Sequence, residues 1–185
     1  NLVTDSLPAL ALGTEPAEKD IMRQKPVPPS SGIFSGGMGI SVVLEGCLIG
    51  ALALLAYTVG RLFFDVSPEE PIIGRTMAFA VLSLSQVVHT YNMRSPHSLF
   101  AIGVFSNRNL NLSSLVCIAL QVAVIAFPPA AAIFHTVRLS LLQWGGVCIF
   151  SLIPLLCVEM EKRFFSFRLS SASRNHKGQN YRHKK

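Results

Sequence analysis

The sequence predicts an all-α integral membrane protein built from one partial and four full transmembrane helices. Three observations carry this. Half of the 185 residues are hydrophobic and only 14% are charged, whereas a soluble domain of this length usually spends about a quarter of its residues on charge. The apolar residues come in blocks, and four of these, Ile40 to Gly60, Ile72 to Asn92, Leu112 to Phe134 and Leu139 to Val158, approach or exceed the roughly 20 residues that cross a bilayer core of about 30 Å. The basic residues, finally, gather on alternate connections.

The chain opens "NLVTDSLPALALG", an apolar run of 13 residues that spans only about 20 Å at the helical rise of about 1.5 Å per residue. No Met start and no basic n-region precede it, so it reads as half of a membrane helix rather than a signal peptide. Asn1 and Asp5 stand at i and i+4, with Thr4 at i+3, so one helix face offers an amide oxygen, a hydroxyl and a carboxylate. Hard cations such as Ca²⁺ take six to eight such oxygens. Pro8 has no N–H to donate, so a backbone carbonyl is set free nearby. The same residues also fit a polar patch facing other helices.

"GTEPAEKDIMRQKPVPPSSGIFSGG" follows, and its prolines and glycines make a connector over 14–35. The first full span contains Gly46 and Gly50 at the spacing that lets two membrane helices approach, and Glu45 beside them is expected to bond a neighbouring helix or to stay neutral. "DVSPEEPIIGR" is a short loop whose Asp65, Glu69 and Glu70 read as solvated acids. The second span is semi-polar, with Ser83, Ser85, Gln86, His89 and Asn92 available for contacts between helices. His89 has no second metal ligand at i+3 or i+4, so it is expected to pack through a hydrogen bond. Gln121 and Gln143 receive the same reading, and the sequon at Asn111 lies at the membrane edge. Between the last two spans "PPAAAIFHTVRLS" leaves room for a turn and a snorkelling Arg138. Cys47, Cys117, Cys148 and Cys157 lie in apolar blocks without a CxxC pair and read as small hydrophobes.

Four full spans put the 14–35 loop, the 93–111 link and the tail on one side. Thirteen of the sixteen Lys and Arg residues fall there, against Arg61, Arg75 and Arg138 opposite, so that side is expected to be cytoplasmic. The same distribution accounts for the net charge of +6. The basic tail suits anionic lipid, and no nucleic-acid partner is expected, since a basic stripe alone is only an electrostatic footprint. The organisation expected is therefore a partial helix with ligands over 1–13, a Pro-rich cytoplasmic loop over 14–35, a four-helix segment over 36–160 and a basic cytoplasmic tail over 161–185.

The string "NLVTDSLPALALGTEPAEKDIMRQKP" resembles the sixth membrane helix and following loop of P-type cation-transporting ATPases of type II, the group of the bacterial and sarcoplasmic reticulum calcium pumps. "GIFSGG", "TMAFAVLSLSQVVHTYN", "LFAIGVFSNRNL" and "SLIPLLCVEMEK" continue the likeness in order, over roughly residues 1 to 165. The resemblance implies a carboxy-terminal bundle running from the middle of helix six through helix ten, with Asn1, Thr4 and Asp5 as cation ligands and Asp5 the central carboxylate. It implies Ca²⁺ or a related cation as the transported ion, ATP and Mg²⁺ as needs of the whole pump, and a multi-pass place in a bacterial plasma membrane. The partners implied are lipid, the remaining membrane helices and the cytoplasmic domains. Gln86 stands at or beside the position where two-calcium pumps of the family place a glutamate, so a second ion site there is expected to be weak or lost. The chain contains neither DKTGT nor TGE, and by itself it is not expected to hydrolyse ATP. The competing reading is a standalone, non-enzymatic membrane interaction or assembly protein. A secondary transporter usually shows paired repeats, and none is evident.

Overall fold

The computed structural model describes residues 2–17, 21–23, 32, 38–67 and 69–182. Asn1, most of the 14–35 connector and the end of the tail, all named above, lie outside the described residues. The described residues are helical: α1 (Leu2–Leu12), α2 (Met38–Phe63), α3 (Ile72–His89), a short α4 (Leu99–Ile102), α5 (Arg108–Ala126), α6 (Pro128–Phe134) and α7 (Leu141–Arg182), with 3₁₀ turns at Ile21–Arg23 and Asn92–Arg94. Four segments, Met38–Phe63, Ile72–Arg94, Arg108–Ala126 and Leu141–Phe164, are long and apolar enough to cross a membrane.

α3 is the central helix and touches α1, α2, α5 and α7. Its semi-polar sequence now has a reason. Half of its most apolar stretch is buried inside the protein, against 17% for α2, so its surroundings are protein rather than lipid. Met77, Ala80, Val81 and Leu84 of α3 meet Leu52 and Ala56 of α2, Ile125 of α5 and Val147 of α7 in one core. Lipid tails are as apolar as leucine, so between membrane helices close packing and polar contacts do the holding.

The closest approach of α2 to α3 is not at Gly46 and Gly50, where an added Cβ would meet nothing within 4 Å among the described residues. It is at Gly60 and Gly74: a Cβ on Gly60 would overlap the Gly74 backbone, and one on Gly74 would lie 2.7 Å from Tyr57 O. Two missing side chains let these backbones touch beside the hairpin turn. Asp65, expected to be solvated, closes that turn. Its carboxylate accepts 2.8 Å hydrogen bonds from both Ile73 N and Gly74 N, neutralising donors at the positive start of α3.

The third span is shorter than the apolar run Leu112 to Phe134. α5 stops at Ala126, Phe127 turns extended, and α6 begins at Pro128. Pro128 and Pro129 carry no N–H, so the helix loses donors for the carbonyls one turn earlier. Thr136 Oγ1 donates to Val124 O (3.0 Å) in place of Pro128, and Arg138 Nε donates to the terminal carbonyl Ala126 O (3.0 Å). Arg138 is exposed, yet it also serves as a cationic cap on α5, where the helix dipole favours positive charge.

The expectation for Glu45 is met by a partner that sequence spacing could not supply. Its Oε2 lies 3.0 Å from His89 Nε2, and the two side chains are 16% and 14% exposed. Asn92 Nδ2 lies 3.3 Å from His89 Nδ1 and donates to Pro154 O at 3.4 Å. With that amide nitrogen directed at Nδ1, the imidazole hydrogen falls on Nε2, facing the carboxylate. The sequon Asn111 is likewise engaged, accepting from Tyr91 OH at 3.0 Å and donating to Phe105 O at 3.1 Å.

Candidate cation site

α1 is 11 residues long with Pro8 inside it. So short a helix is marginal by itself, so its form and height depend on what it touches, and it packs on α5 and α3. Pro8 is fully buried. Its absent N–H would have served the carbonyl of Thr4, and that oxygen is met instead by the Cys117 thiol of α5 at 3.7 Å. The carbonyl that Pro8 leaves without a helical N–H is thus Thr4 O, and it accepts from Cys117. Thr4 itself is half-buried, while Asp5 is exposed and projects from a face of α1 that the described residues leave uncovered. Asn1 lies outside the described residues.

Gln86 is half-buried on α3, and its Oε1 has no hydrogen-bond partner among the described residues. α1 packs on α3 as well as on α5, so Gln86 lies on a helix that touches the one carrying Thr4. Among the described residues no three His, Cys, Asp or Glu side chains converge to hold a metal ion.

The basic end of α1 is organised around Arg94. Its side chain is 0% exposed, which removes it from the freely solvated charges of the 93–111 link. Nε donates to Glu15 Oε2 (3.1 Å), Nη2 to Glu15 Oε1 (2.7 Å) and Ser106 Oγ (2.5 Å), and Nη1 to the carbonyls of Gly103 (3.0 Å) and Val104 (3.1 Å). All five guanidinium N–H groups thereby find acceptors, two of them in the fork that matches a carboxylate. Gly103 is left-handed at φ 88, a conformation open to a residue without Cβ. Asn107 caps α5 by accepting from Leu110 N, and its amide donates to Ala11 O (3.3 Å) and Glu15 Oε2 (2.6 Å). Nothing in the spacing of Glu15, Arg94 and Asn107 announces this cluster, because its members come from three distant stretches of chain.

The hydrogen bond from Arg94 holds the Glu15 carboxyl below its ordinary value of 4.5; burial pushes the other way, and Asn107 adds to the lowering. A carboxylate depressed on folding stabilises the protein fully above its unfolded pKa and loses that contribution as pH falls through the lower folded value. In detergent, the gap in thermal midpoint between wild type and Glu15→Gln is therefore expected to stay level from pH 7 to about 5 and to close below about 4. A gap that widens on acidification would contradict the assignment.

A second acid, Glu159 of α7, accepts from Ser98 Oγ (2.6 Å) and Leu99 N (2.9 Å), seating α4 on α7. Lys162 donates to the carbonyls of Asn92 (2.8 Å) and Ser95 (2.7 Å). Glu15, Arg94, His97, Lys162 and Arg163 border an open cavity of about 700 Å³ on this basic face.

Comparison with known proteins agrees with this architecture. Residues 1–164 match the family described as cation transporting ATPase, C-terminus. The chain is 41% identical over 175 residues to a calcium-transporting ATPase 1 of Bacillus cereus, covering 88% of this chain and 20% of that protein. It is 40% identical over 154 residues to a calcium-transporting ATPase of Bacillus subtilis, covering 83% and 17%. It is 28% identical over 144 residues to the human calcium-transporting ATPase type 2C member 1, covering 77% and 15%. The chain thus spans a fifth or less of the length of these relatives.

Proposed function

Because the chain belongs to the cation-transporting ATPases, matching their carboxy-terminal segment, we propose that it is the carboxy-terminal transport segment of an ATP-driven calcium pump, in which Asn1, Thr4 and Asp5 help to hold the transported ion. The observation that carries this reading is the exposed Asp5 carboxylate beside half-buried Thr4 on the short helix α1, where Pro8 leaves Thr4 O to the weak Cys117 thiol donor in place of a helical N–H. A carboxylate at membrane depth is costly unless it meets a cation or a bonding partner, and carboxylate, carbonyl and hydroxyl oxygens suit Ca²⁺. Its other ligands would come from further membrane helices of the pump, and ATP and Mg²⁺ would act on cytoplasmic domains joined to them. The segment contributes ligands and scaffold, and hydrolysis belongs to the headpiece. The relatives' names, calcium-transporting ATPase, support Ca²⁺ as the cargo. The excess of Lys and Arg on the face that carries Arg94 supports a cytoplasmic location for that face, in the plasma membrane of a bacterium.

The same reading assigns one calcium ion to each transport cycle. Gln86 lies on α3, which packs against the helix of Thr4, and an amide offers an oxygen but no charge. Two unit charges 4 Å apart repel by about 4 kcal/mol at an effective dielectric of 20, and two divalent ions by about four times that before their ligands screen them. Without a carboxylate from α3 a second divalent ion is not offset. Equilibrium ⁴⁵Ca binding to the complete pump is expected to give one ion per phosphorylation site, and two would overturn this assignment.

A further inference from the structure

We propose that Arg94 is a positioning residue for the cation site, setting the height of α1, and hence of Asp5, through its bond to Glu15; this rests on the reading of Thr4 and Asp5 as ligands. Arg94 touches no ion. It lies at the far end of α1 from Asp5, where the ion pair and the amide contacts that hold this helix gather between Ala11 and Glu15. Asn109 Nδ2 adds a bond to Thr14 Oγ1 at 3.1 Å.

One guanidinium joins Glu15 after α1 to the connector between α4 and α5, through the Gly103 and Val104 carbonyls and Ser106 Oγ. The end of α1 and the start of α5 therefore move as one body. From there the two helices run past each other in a register marked by Asn107 against Ala11 at the bottom and Cys117 against Thr4 above. Pro8 lies between these marks. It removes a backbone bond from the half of α1 that carries Thr4 and Asp5, so that half relies on packing while the other half is pinned by charge. A guanidinium whose side chain is 0% exposed and whose five N–H groups all have acceptors tolerates little displacement, because a donor that loses its acceptor forfeits a charge-assisted bond. This stiffness suits a group that must hold ligands in place, since coordination is sensitive to small misplacements.

The test uses the complete pump that carries this segment, reconstituted in lipid, and reads the calcium concentration for half-maximal phosphorylation from ATP alongside the maximal level reached. Arg94→Gln and Glu15→Gln are each expected to raise the half-maximal concentration on the order of tenfold, the usual range of coupling between sites. The maximal level should hold, and the double variant should be no worse than either single one. Arg94→Lys, which keeps the charge without the fork, should recover part of the loss. A merely structural role lowers the maximal level as folded protein is lost and leaves the half-maximal concentration where it was, and that outcome overturns the proposal. Unchanged calcium dependence in both variants overturns it equally. Should Arg94→Gln fail to accumulate, Glu15→Gln decides, since it leaves the guanidinium its bonds to Gly103, Val104 and Ser106. If Asp5→Asn abolishes calcium-dependent phosphorylation while both clamp variants behave as wild type, only this inference falls. If Asp5→Asn itself is silent, the ligand reading on which it rests falls with it.

Discussion

Replacing Asp5 by Asn in the complete pump is expected to abolish calcium-dependent phosphorylation from ATP at ordinary calcium concentrations while leaving the protein folded. The substitution keeps size and one oxygen and removes only charge, and Asp5 is exposed among the described residues, so packing within this bundle has little to lose. A divalent ion in a protein shell needs formal negative charge close by to offset its own dehydration, and neither Gln86 nor the Thr4 carbonyl supplies any. The loss should exceed a hundredfold in apparent affinity, about 2.7 kcal/mol. Phosphorylation from inorganic phosphate without calcium, which reads the headpiece alone, should persist. Normal calcium-dependent phosphorylation of Asp5→Asn would remove this residue from the ligand set.

His89→Leu is expected to destabilise the four-span bundle. Glu45 and His89 meet at 3.0 Å, each about 15% exposed, and removing the imidazole strands a carboxylate at membrane depth. Losing a hydrogen bond to a charged group in this way costs about 1.5–3 kcal/mol. Replacing both partners with Leu leaves no orphan, so Glu45→Leu/His89→Leu should recover most of the loss. Thermal unfolding of the four members of this cycle in one detergent measures the coupling, and single effects that simply add would show that the two groups are energetically independent.

Much of the fold was legible because membrane spans are written in composition. Each of the four apolar blocks holds a helix, and the ends of α2 and α3 fall within a few residues of the run boundaries. The break at Phe127 was signalled by Pro128 and Pro129, but apolar length dominates such a reading, and proline is tolerated in membrane helices when other groups serve the freed carbonyls. Here Thr136 does so from beyond the turn. The glycines at 46 and 50 had the right spacing and the wrong neighbours, whereas Gly60 and Gly74, isolated in sequence, face each other across a hairpin.

The site divides along the same line. The oxygens of Thr4 and Asp5 and the effect of Pro8 are local properties and could be read locally. Glu45 with His89, and Glu15 with Arg94 and Asn107, are partnerships between segments 44, 79 and 92 residues apart, and no periodicity within one helix encodes them. Arg94 also shows how a charge count misleads. It was tallied with the basic residues that mark a wet face, yet it is sealed against a carboxylate.

The end of α5 at Ala126 has a consequence for the surrounding bilayer. With 19 residues α5 reaches about 28 Å at the helical rise, slightly less than an average hydrocarbon core, whereas the 26 residues of α2 reach about 39 Å. Hydrophobic mismatch therefore has opposite signs on the two flanks of one molecule. Lipid against α5 is asked to thin, and α2 must lean or bury its ends among headgroups. A thicker host membrane relieves α2 and strains α5, and a thinner one does the reverse.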